Sequence, residues 1–188
     1  MRLCYGFDSL PEIVRPVVTI GSFDGVHLGH KALLEEVVAE ARKVEGESVV
    51  VTFSPHPREV ISGKGGDFRL LTSLERKAEL LEELGIDYLV VVEFTMAFAA
   101  LTSEEFVRDF LTSKLGMHTL VVGYNHRFGH DRDVPADHFE RLAQRYGFEV
   151  VRASAFTFEG GKVSSSVIRN LLAEGRQTEA EILLGHKL

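Results

Sequence analysis

The sequence has little of what marks secreted, membrane-spanning or nucleic-acid-binding proteins. Its 188 residues include one cysteine, Cys4, which excludes an internal disulfide and predicts a cytoplasmic location. No apolar run approaches the roughly 20 residues that a membrane-spanning helix requires, and the first residues do not form a signal peptide. A basic excess is also lacking. The net charge of −7 disfavours non-specific nucleic-acid binding, and we expect neither a nucleic-acid nor a membrane partner.

Two common nucleotide-binding motifs are absent as well. The sequence has no Gly-x-x-x-x-Gly-Lys-Ser/Thr motif, which argues against a P-loop NTPase, and no Gly-x-Gly-x-x-Gly motif, which argues against a dinucleotide-binding redox fold. The length is nevertheless sufficient to bury a hydrophobic core. We therefore expect a single domain over residues 1–188.

Strand-like and helix-like segments alternate along this domain. Buried strands are predicted over residues 16–20, 48–53, 87–94, 119–123 and 148–152. Helices are predicted over residues 28–41, 74–84, 102–115, 139–146 and 164–184, the last with a break near Gly175. This alternation predicts an α/β fold, a Rossmann-like doubly wound parallel sheet with helices on both faces. Ligands of such sheets bind beyond the carboxyl ends of the strands.

Residues 16–30 combine a predicted strand, a turn that begins at Gly21, and a helix start that carries two histidines. His27 and His30 are three residues apart, so both can face one side of the helix. Gly29 has no Cβ, which would allow a ligand to lie against the backbone. Free N–H groups and the helix dipole attract phosphate at such a position. The two imidazoles predict chemistry on that phosphate.

Two other interpretations of this histidine pair are possible. Paired histidines on a helix also bind zinc, but this would require a third ligand, and no Cys or Glu cluster in the sequence offers an obvious one. The histidines could also be polar surface residues without a ligand. We predict phosphate chemistry and no protein metal ligands.

A second phosphate-binding pattern begins the last predicted helix. Ser164 and Ser165 can cap this helix and donate hydroxyl groups. Arg169 follows Ser165 by one helical turn and lies on the same face. Such a set of donors suits a polyphosphate, although serine caps are common and Arg169 could simply be solvated. One ligand with several phosphates could bridge the serines and the histidine pair.

Polar loops follow two other predicted strands. Residues 54–58 form a stiff turn with one imidazole and one guanidinium, and residues 62–67 are rich in glycine. A stiff charged turn before a glycine hinge suits a lid over a ligand, and an ordinary surface loop is the alternative. The loop over 123–129 contains Asn125 and Arg127 between two glycines. It is either a further ligand-binding loop or an unremarkable polar one.

Four motifs, taken in order, resemble those of bacterial FAD synthetases, specifically the FMN adenylyltransferase module of the bifunctional riboflavin kinase/FAD synthetase family. They are Phe23-Asp-Gly-Val-His-Leu-Gly-His30, Thr52-Phe-Ser-Pro-His-Pro57, Gly123-Tyr-Asn-His-Arg-Phe-Gly129 and Ser164-Ser-Ser-Val-Ile-Arg169. His-x-Gly-His alone marks a wider superfamily, which includes pantetheine-phosphate, nicotinate-nucleotide and glycerol-phosphate transferases. The resemblance extends from Pro16 to Leu184 and implies the fold of the His-x-Gly-His nucleotidyltransferases.

This resemblance also implies an activity and a set of site residues. The reaction would be FMN plus ATP giving FAD and pyrophosphate, with Mg²⁺ accompanying ATP. His27, His30 and Arg169 would be catalytic. The nucleotide and FMN would be bound by Gly21, Phe23, Asp24, Gly29, Asn125, Arg127, Ser164, Ser165 and Arg169. The flavin ring needs an apolar slot, for which Phe53, Phe94, Phe98 and Phe128 are candidates unless they belong to the core.

The chain departs from the family pattern in two respects. It has Asn125 where many members carry aspartate, and its 188 residues leave no room for the riboflavin kinase domain of the bifunctional proteins. FMN could therefore come from a kinase domain outside this sequence or from a separate kinase. Two alternatives to FMN adenylyltransferase activity remain. The protein could be another nucleotidyltransferase of the superfamily, with a different phosphate acceptor. It could also be a non-catalytic flavin- or nucleotide-binding protein.

Overall fold

A six-stranded parallel sheet forms the centre of the structure, a computed structural model that describes residues 1–62, 68–123, 128–131 and 134–188. Its strands are β1 (Arg2–Tyr5), β2 (Val17–Ile20), β3 (Ser48–Ser54), β4 (Tyr88–Glu93), β5 (Thr119–Val122) and β6 (Glu149–Arg152). They lie in the order β1-β4-β3-β2-β5-β6. The five predicted strands are confirmed to within one residue at each end. β1 escaped prediction because it is a short, largely exposed edge strand that pairs only with β4.

Helices connect these strands in the alternating pattern that the sequence predicts. They are α1 (Leu28–Lys43), α2 (Pro57–Ser62), α3 (Leu74–Glu83), α4 (Met96–Ala99), α5 (Ser103–Phe106), α6 (His138–Tyr146), α7 (Ser165–Ala173) and α8 (Gln177–Leu184). The predicted helix over 102–115 is divided, because α5 continues as a π-helix over Val107–Thr112. The predicted break near Gly175 is confirmed between α7 and α8. A short hairpin, β7 (Thr157–Phe158) and β8 (Gly161–Lys162), was not predicted.

Both faces of the sheet are covered, as the doubly wound prediction requires. In β3, Val49 and Val51 pack on one face with residues of α5, the π-helix and α6. Val50 packs on the opposite face with residues of α1 and α3. This period of two, with apolar residues on both faces, is the pattern of a buried parallel strand. Within the described ranges, no helix has the length and apolar character needed to cross a membrane.

The order of the strands reverses at β2. The chain moves from β2 through β3 to β4 on one side, whereas β5 and β6 lie on the other side of β2. In open parallel sheets, the crevice at such a reversal is where ligands bind. The carboxyl end of β2 leads directly into the turn that carries His27 and His30, and the candidate site lies there.

Candidate active site

The turn between β2 and α1 is held in shape by close packing. Gly25 has a φ of 86°, and a Cβ at this position would lie 2.9 Å from Leu71 and 3.0 Å from Leu184. Its N–H donates to the Thr72 hydroxyl at 3.0 Å. Glycine is therefore required here by both conformation and space.

His27 and His30 lie together at the start of α1, as predicted. His27 caps the helix, and its Nδ1 accepts a hydrogen bond from the His30 N–H at 3.2 Å. The two rings stack with their centroids 3.6 Å apart and their planes 13° apart. The edge of the pair is packed by Phe23, whose ring centroid is 5.2 Å from that of His30. The helix start therefore presents two adjacent imidazoles in a fixed orientation.

The protonation of His27 follows from this packing. Burial lowers its pKa from 6.5 to about 4, so the ring is neutral at pH 7. Because Nδ1 accepts from a backbone N–H, the single proton of the neutral ring belongs on Nε2. His27 is thus a neutral hydrogen-bond donor beside the N-terminus of α1.

A polar cavity of about 440 Å³ joins this helix start to the start of α7. Among its lining residues are six of those predicted, namely His27, Gly29, His30, Ser164, Ser165 and Arg169. Ser164 caps α7 by accepting from the Val167 N–H, and the Ser165 hydroxyl donates to the Asp24 carbonyl at 2.9 Å. Two helix N-termini and several hydroxyl and imidazole donors therefore face one space, an arrangement that suits phosphate groups.

Arg169 occupies a more constrained position than the sequence suggests. Its guanidinium donates to the Asp24 carboxylate and, at 2.9 Å, to the Arg69 carbonyl. It also lies over the Phe68 ring, 4.4 Å from the centroid. Asp24 is 1% exposed, and its other oxygen accepts from the backbone N–H groups of Leu71 and Thr72. The ion pair therefore ties α7 to the turn after β2 and to the segment that precedes α3.

Two predicted ligand contacts lie beneath the surface of the site. Phe23 and Asp24 are buried and are not among the described residues that line the cavities. A direct contact with a ligand would require the turn to open, because Phe23 belongs to the apolar core and the Asp24 oxygens are engaged. Asn125 and Arg127 lie outside the described residues, as does the glycine-rich stretch over 63–67.

His56 and Lys77 form a buried basic pair that the sequence did not single out as site residues. His56 packs against Phe68 with ring centroids 4.5 Å apart. Burial lowers its pKa to about 4, with Lys77 and Arg169 adding repulsion. Burial likewise lowers the pKa of Lys77 to about 8, against the attraction of Asp24. The Lys77 ammonium lies 3.4 Å from the Thr52 hydroxyl. No motif in the sequence identifies Lys77 as a site residue, because its proximity to Thr52 arises only when α3 packs beside β3.

A second cavity, of about 550 Å³, adjoins the polar one; its lining is mainly apolar and includes five phenylalanines, and we call it the aromatic cavity. All four phenylalanines that the sequence proposed for an apolar slot line it: Phe53, Phe94, Phe98 and Phe128. Gly21 also lines this cavity, as does Phe106, which was not predicted. Ser22, His56 and Arg58 line both cavities and mark their junction. A ligand with an aromatic part and a phosphate part could span this junction.

The described residues contain no group of three His, Cys, Asp or Glu side chains that could hold a metal ion. The Asp24 carboxylate, which follows β2 in the histidine turn, is engaged by Arg169 and two backbone N–H groups. This donor set does not resemble a resident metal centre. It is compatible with a cation that arrives already bound to a polyphosphate.

The parallel sheet and the histidine-bearing helix start define an α/β protein of the His-x-Gly-His nucleotidyltransferase class. Within that class, a sequence model of the FAD synthetase family matches residues 11–167. The chain belongs to the FAD synthetase family.

Individual relatives agree with this assignment. The bifunctional riboflavin kinase/FMN adenylyltransferase of Escherichia coli K12 is 37% identical over 188 residues, which cover 99% of this chain and 60% of the relative. An FAD synthetase of Listeria monocytogenes is 37% identical over 171 residues, which cover 90% of this chain and 68% of the relative. The chain thus spans about 60% of the length of the bifunctional relatives that it matches.

Solved structures share the fold. A crystal structure described as a macrolide-efflux protein of Streptococcus pneumoniae aligns with a TM-score of 0.86 and 27% identity, over 99% of this chain and 62% of that one. A pantoate-β-alanine ligase of Francisella tularensis aligns with a TM-score of 0.58 and 12% identity, over 97% of this chain and 78% of that one. The second similarity concerns the fold alone.

Proposed function

We propose that this chain transfers the adenylyl group of ATP to FMN, which yields FAD and pyrophosphate. The observation that carries the proposal is the pair of adjoining cavities at the carboxyl edge of the sheet. One is polar and contains the His-x-Gly-His helix start, and the other is lined by phenylalanines. Membership of the FAD synthetase family and the names of the relatives support the same reaction.

The two substrates are assigned to the cavities by their chemistry. The triphosphate of ATP suits the polar cavity, where the starts of α1 and α7 supply backbone N–H groups and hydroxyls. The isoalloxazine ring of FMN suits the aromatic cavity, where it can stack on or pack against the phenylalanine rings. The FMN phosphate would then lie at the junction, near Ser22, His56 and Arg58. This arrangement brings the FMN phosphate close to the α-phosphate of ATP.

The transfer requires one bond to form and one to break. An oxygen of the FMN phosphate attacks the α-phosphorus, and the bond from that phosphorus to the pyrophosphate oxygen breaks in line. The attacking phosphate is already an anion at pH 7, so no general base is needed. Catalysis then depends on positioning the two phosphates and on stabilising the charge that develops between them.

The residues of the polar cavity have distinct roles in this scheme. The neutral His27 offers an Nε2–H, and His30 stacks beside it, so both are assigned to the α-phosphate in the transition state. Ser164 and Ser165 are assigned to the β- and γ-phosphates at the start of α7. Arg169 is assigned to the same phosphates, in addition to its pairing with Asp24. Asn125 and Arg127 are assigned to the nucleotide or FMN-phosphate side by the family pattern.

Magnesium belongs to the nucleotide substrate in this scheme. MgATP would bring the cation with its phosphates. When bound, the cation would neutralise charge on the β- and γ-phosphates. FMN would be supplied by phosphorylation of riboflavin, since relatives combine a riboflavin kinase with the adenylyltransferase. The single cysteine favours a reducing compartment such as the cytoplasm as the location of the reaction.

Separation of flavins after incubation tests the proposal directly. The chain is incubated with ATP and Mg²⁺ together with either FMN or riboflavin, and the flavins are resolved by chromatography. We expect FAD from FMN and no FMN or FAD from riboflavin. If FMN gives no FAD while the folded protein binds ATP, another phosphate acceptor or a binding function replaces this proposal.

A further inference from the structure

A Ser–His–Asp cluster lies beside the aromatic cavity, outside the site described above. The Ser103 hydroxyl is 2.8 Å from Oδ2 of Asp131 and 2.7 Å from Nε2 of His138. The Ser103 N–H donates to Oδ1 of Asp131 at 2.7 Å. Ser103 is fully buried. We refer to Ser103, Asp131 and His138 as the Ser103 network.

The proton positions show that this network is not a nucleophilic triad. A carboxylate oxygen can only accept, so the hydroxyl proton of Ser103 points to Asp131. The Ser103 oxygen must then accept from His138, which places the histidine proton on Nε2. A general base would need an unprotonated nitrogen facing the serine proton. The arrangement here is the reverse, and the serine has no exposed face for a substrate.

The Ser103 network instead holds one wall of the aromatic cavity. Gly129 has a φ of 89°, and a Cβ at this position would overlap the Ser103 nitrogen and lie 2.8 Å from Oδ1 of Asp131. The next residue, His130, donates its N–H to the Leu101 carbonyl at 2.8 Å. Leu101, Gly129 and His130 all line the cavity. The segment from Gly129 to Asp131 is therefore fixed to the start of α5.

The same network reaches the adjacent aromatic ring. His138 begins α6, and the next residue of that helix, Phe139, stacks on Phe128 with centroids 4.9 Å apart and planes 26° apart. Phe128 lines the cavity immediately before Gly129. The side chains of Ser103, Asp131 and His138 thus meet behind the wall of the aromatic cavity that Phe128 and Gly129 form. Buried hydrogen bonds of this kind impose a single arrangement on the elements that they join.

We propose that Ser103, Asp131 and His138 are positioning residues that set the shape of this wall and thereby the affinity for the flavin ring. The inference rests on the proposed function only in naming the flavin as the ligand. The network itself is independent of that function. We expect a larger effect on the aromatic cavity than on the polar one, because the described contacts of the network join residues that line or adjoin the aromatic cavity.

Substitutions that remove or keep one donor test the role of the network. Ser103→Ala removes the shared hydroxyl, and His138→Leu removes the Nε2–H, whereas His138→Gln can retain a donor at that place. Ser113→Ala is the matched control, since the Ser113 hydroxyl donates to the Arg108 carbonyl on the exposed surface. FMN affinity is measured by the change in flavin fluorescence on binding.

We expect Ser103→Ala and His138→Leu to weaken FMN binding about tenfold, the loss associated with one buried hydrogen bond. ATP affinity should remain within about twofold, His138→Gln should restore most of the FMN affinity, and Ser113→Ala should match the wild type. Equal losses of FMN and ATP affinity would indicate a general structural role and overturn the proposal. Unchanged FMN affinity in Ser103→Ala, or labelling of Ser103 by a fluorophosphonate, would overturn it as well.

A measurement without ligand separates this inference from the proposed function. Amide hydrogen exchange by NMR should show protection of the Ser103 and His130 N–H groups in the wild type and loss of that protection in Ser103→Ala. Wild-type protein that fails to bind FMN would refute the proposed function, while the exchange result would still decide whether the network holds the wall. Fast exchange at both amides in the wild type would refute the network itself.

Discussion

The polar and aromatic cavities lie side by side at the same edge of the sheet, yet they are built in different ways. The polar cavity is formed by the starts of α1 and α7, and its donors come from two short motifs. The aromatic cavity draws its rings from β3, from the segment between β4 and α4, from α4 and α5 themselves, and from the residue before Gly129. The first depends on helix geometry within a few residues, whereas the second depends on the packing of distant segments.

This difference bears on how each cavity responds to change. A helix start fixes its N–H groups and its first side chains by local hydrogen bonds, so loss of one donor leaves the others in place. An aromatic wall exists only as long as its neighbours pack against it. We therefore expect substitutions in the polar cavity to reduce turnover sharply at little cost to flavin binding. Substitutions in the aromatic cavity should mainly alter flavin affinity.

The largest expected effect is the loss of His30. The substitution His30→Ala removes an imidazole assigned to the transition state and should lower kcat by about 10²–10³, with KM for FMN little changed and the circular dichroism spectrum preserved. Steady-state kinetics with both substrates measure this. His118→Ala, at the amino end of β5, serves as the histidine control. Retention of more than about a third of the wild-type kcat would remove His30 from the mechanism.

The next largest effect is expected from the loss of Arg169. This residue is assigned a structural role, in its pairing with Asp24, and a phosphate-binding role. Arg169→Ala leaves a buried carboxylate without its charge partner and should lower the free energy of unfolding by about 3–5 kcal/mol, while KM for ATP rises. Denaturant unfolding and ATP kinetics measure the two effects. In the double variant Asp24→Asn, Arg169→Ala, stability should partly recover but ATP affinity should not. Recovery of both would leave Arg169 with a structural role only.

Acid should destabilise the folded protein through two buried histidines, His27 in the polar cavity and His56 at the junction of the two cavities. The pKa values of His27 and His56 are each about 4 in the folded protein, below the usual 6.5, so the unfolded chain binds protons first as the pH falls. The stability associated with each neutral ring is complete above pH 6.5 and is lost between pH 6.5 and about 4, by about 3 kcal/mol for His27 and by less for His56, where solvent screens part of the effect. Unfolding at pH 7 and pH 4.5 tests this. His56→Gln should show a smaller loss than the wild type, and an equal loss would contradict this expectation.

The smallest effect concerns one ring of the aromatic cavity. Phe98 lines this cavity, whereas Phe110 packs against Phe98, with centroids 5.8 Å apart, and is not among the described lining residues. Phe98→Leu should raise KM for FMN about fivefold through lost ring contact without changing KM for ATP. Phe110→Leu is the matched control for general loosening of the cluster. Equal effects of the two substitutions would mean that the cavity does not hold the flavin.

Much of the fold could be predicted because its signals are local. Runs of β-branched residues gave β2 to β6 to within one residue at each end, and glycine marked the end of α6 at Gly147 and the break between α7 and α8. β1 and the hairpin β7–β8 were missed because two to four largely exposed residues carry no clear periodicity. α2 was missed because its Pro57 start was interpreted as part of a stiff turn.

The candidate site also has parts that local signals predict and parts that they do not. The adjacency of His27 and His30 could be predicted, since residues three apart at a helix start lie on one face. The meeting of the histidine turn with Ser164 and Ser165 could be expected as well, because both present helix N-termini that suit one polyphosphate. The position of Lys77 beside His56 could not be predicted, and neither could the Ser103 network. Each joins residues that no motif connects.

The amino-acid sequence by itself determined the parallel sheet, the strand-to-helix turn with its two histidines, and the capping serines of α7. The turn and the serine caps depend on backbone conformation and hydrogen bonds within a few residues, and the parallel sheet follows from the alternation of buried strands with helices along the chain. Only the tertiary structure decided that Arg169 pairs with Asp24, 145 positions away, that five phenylalanines line one cavity, and that His27 and His56 are held neutral. Burial and long-range pairing set these properties, and neither exists until the helices have packed on the sheet.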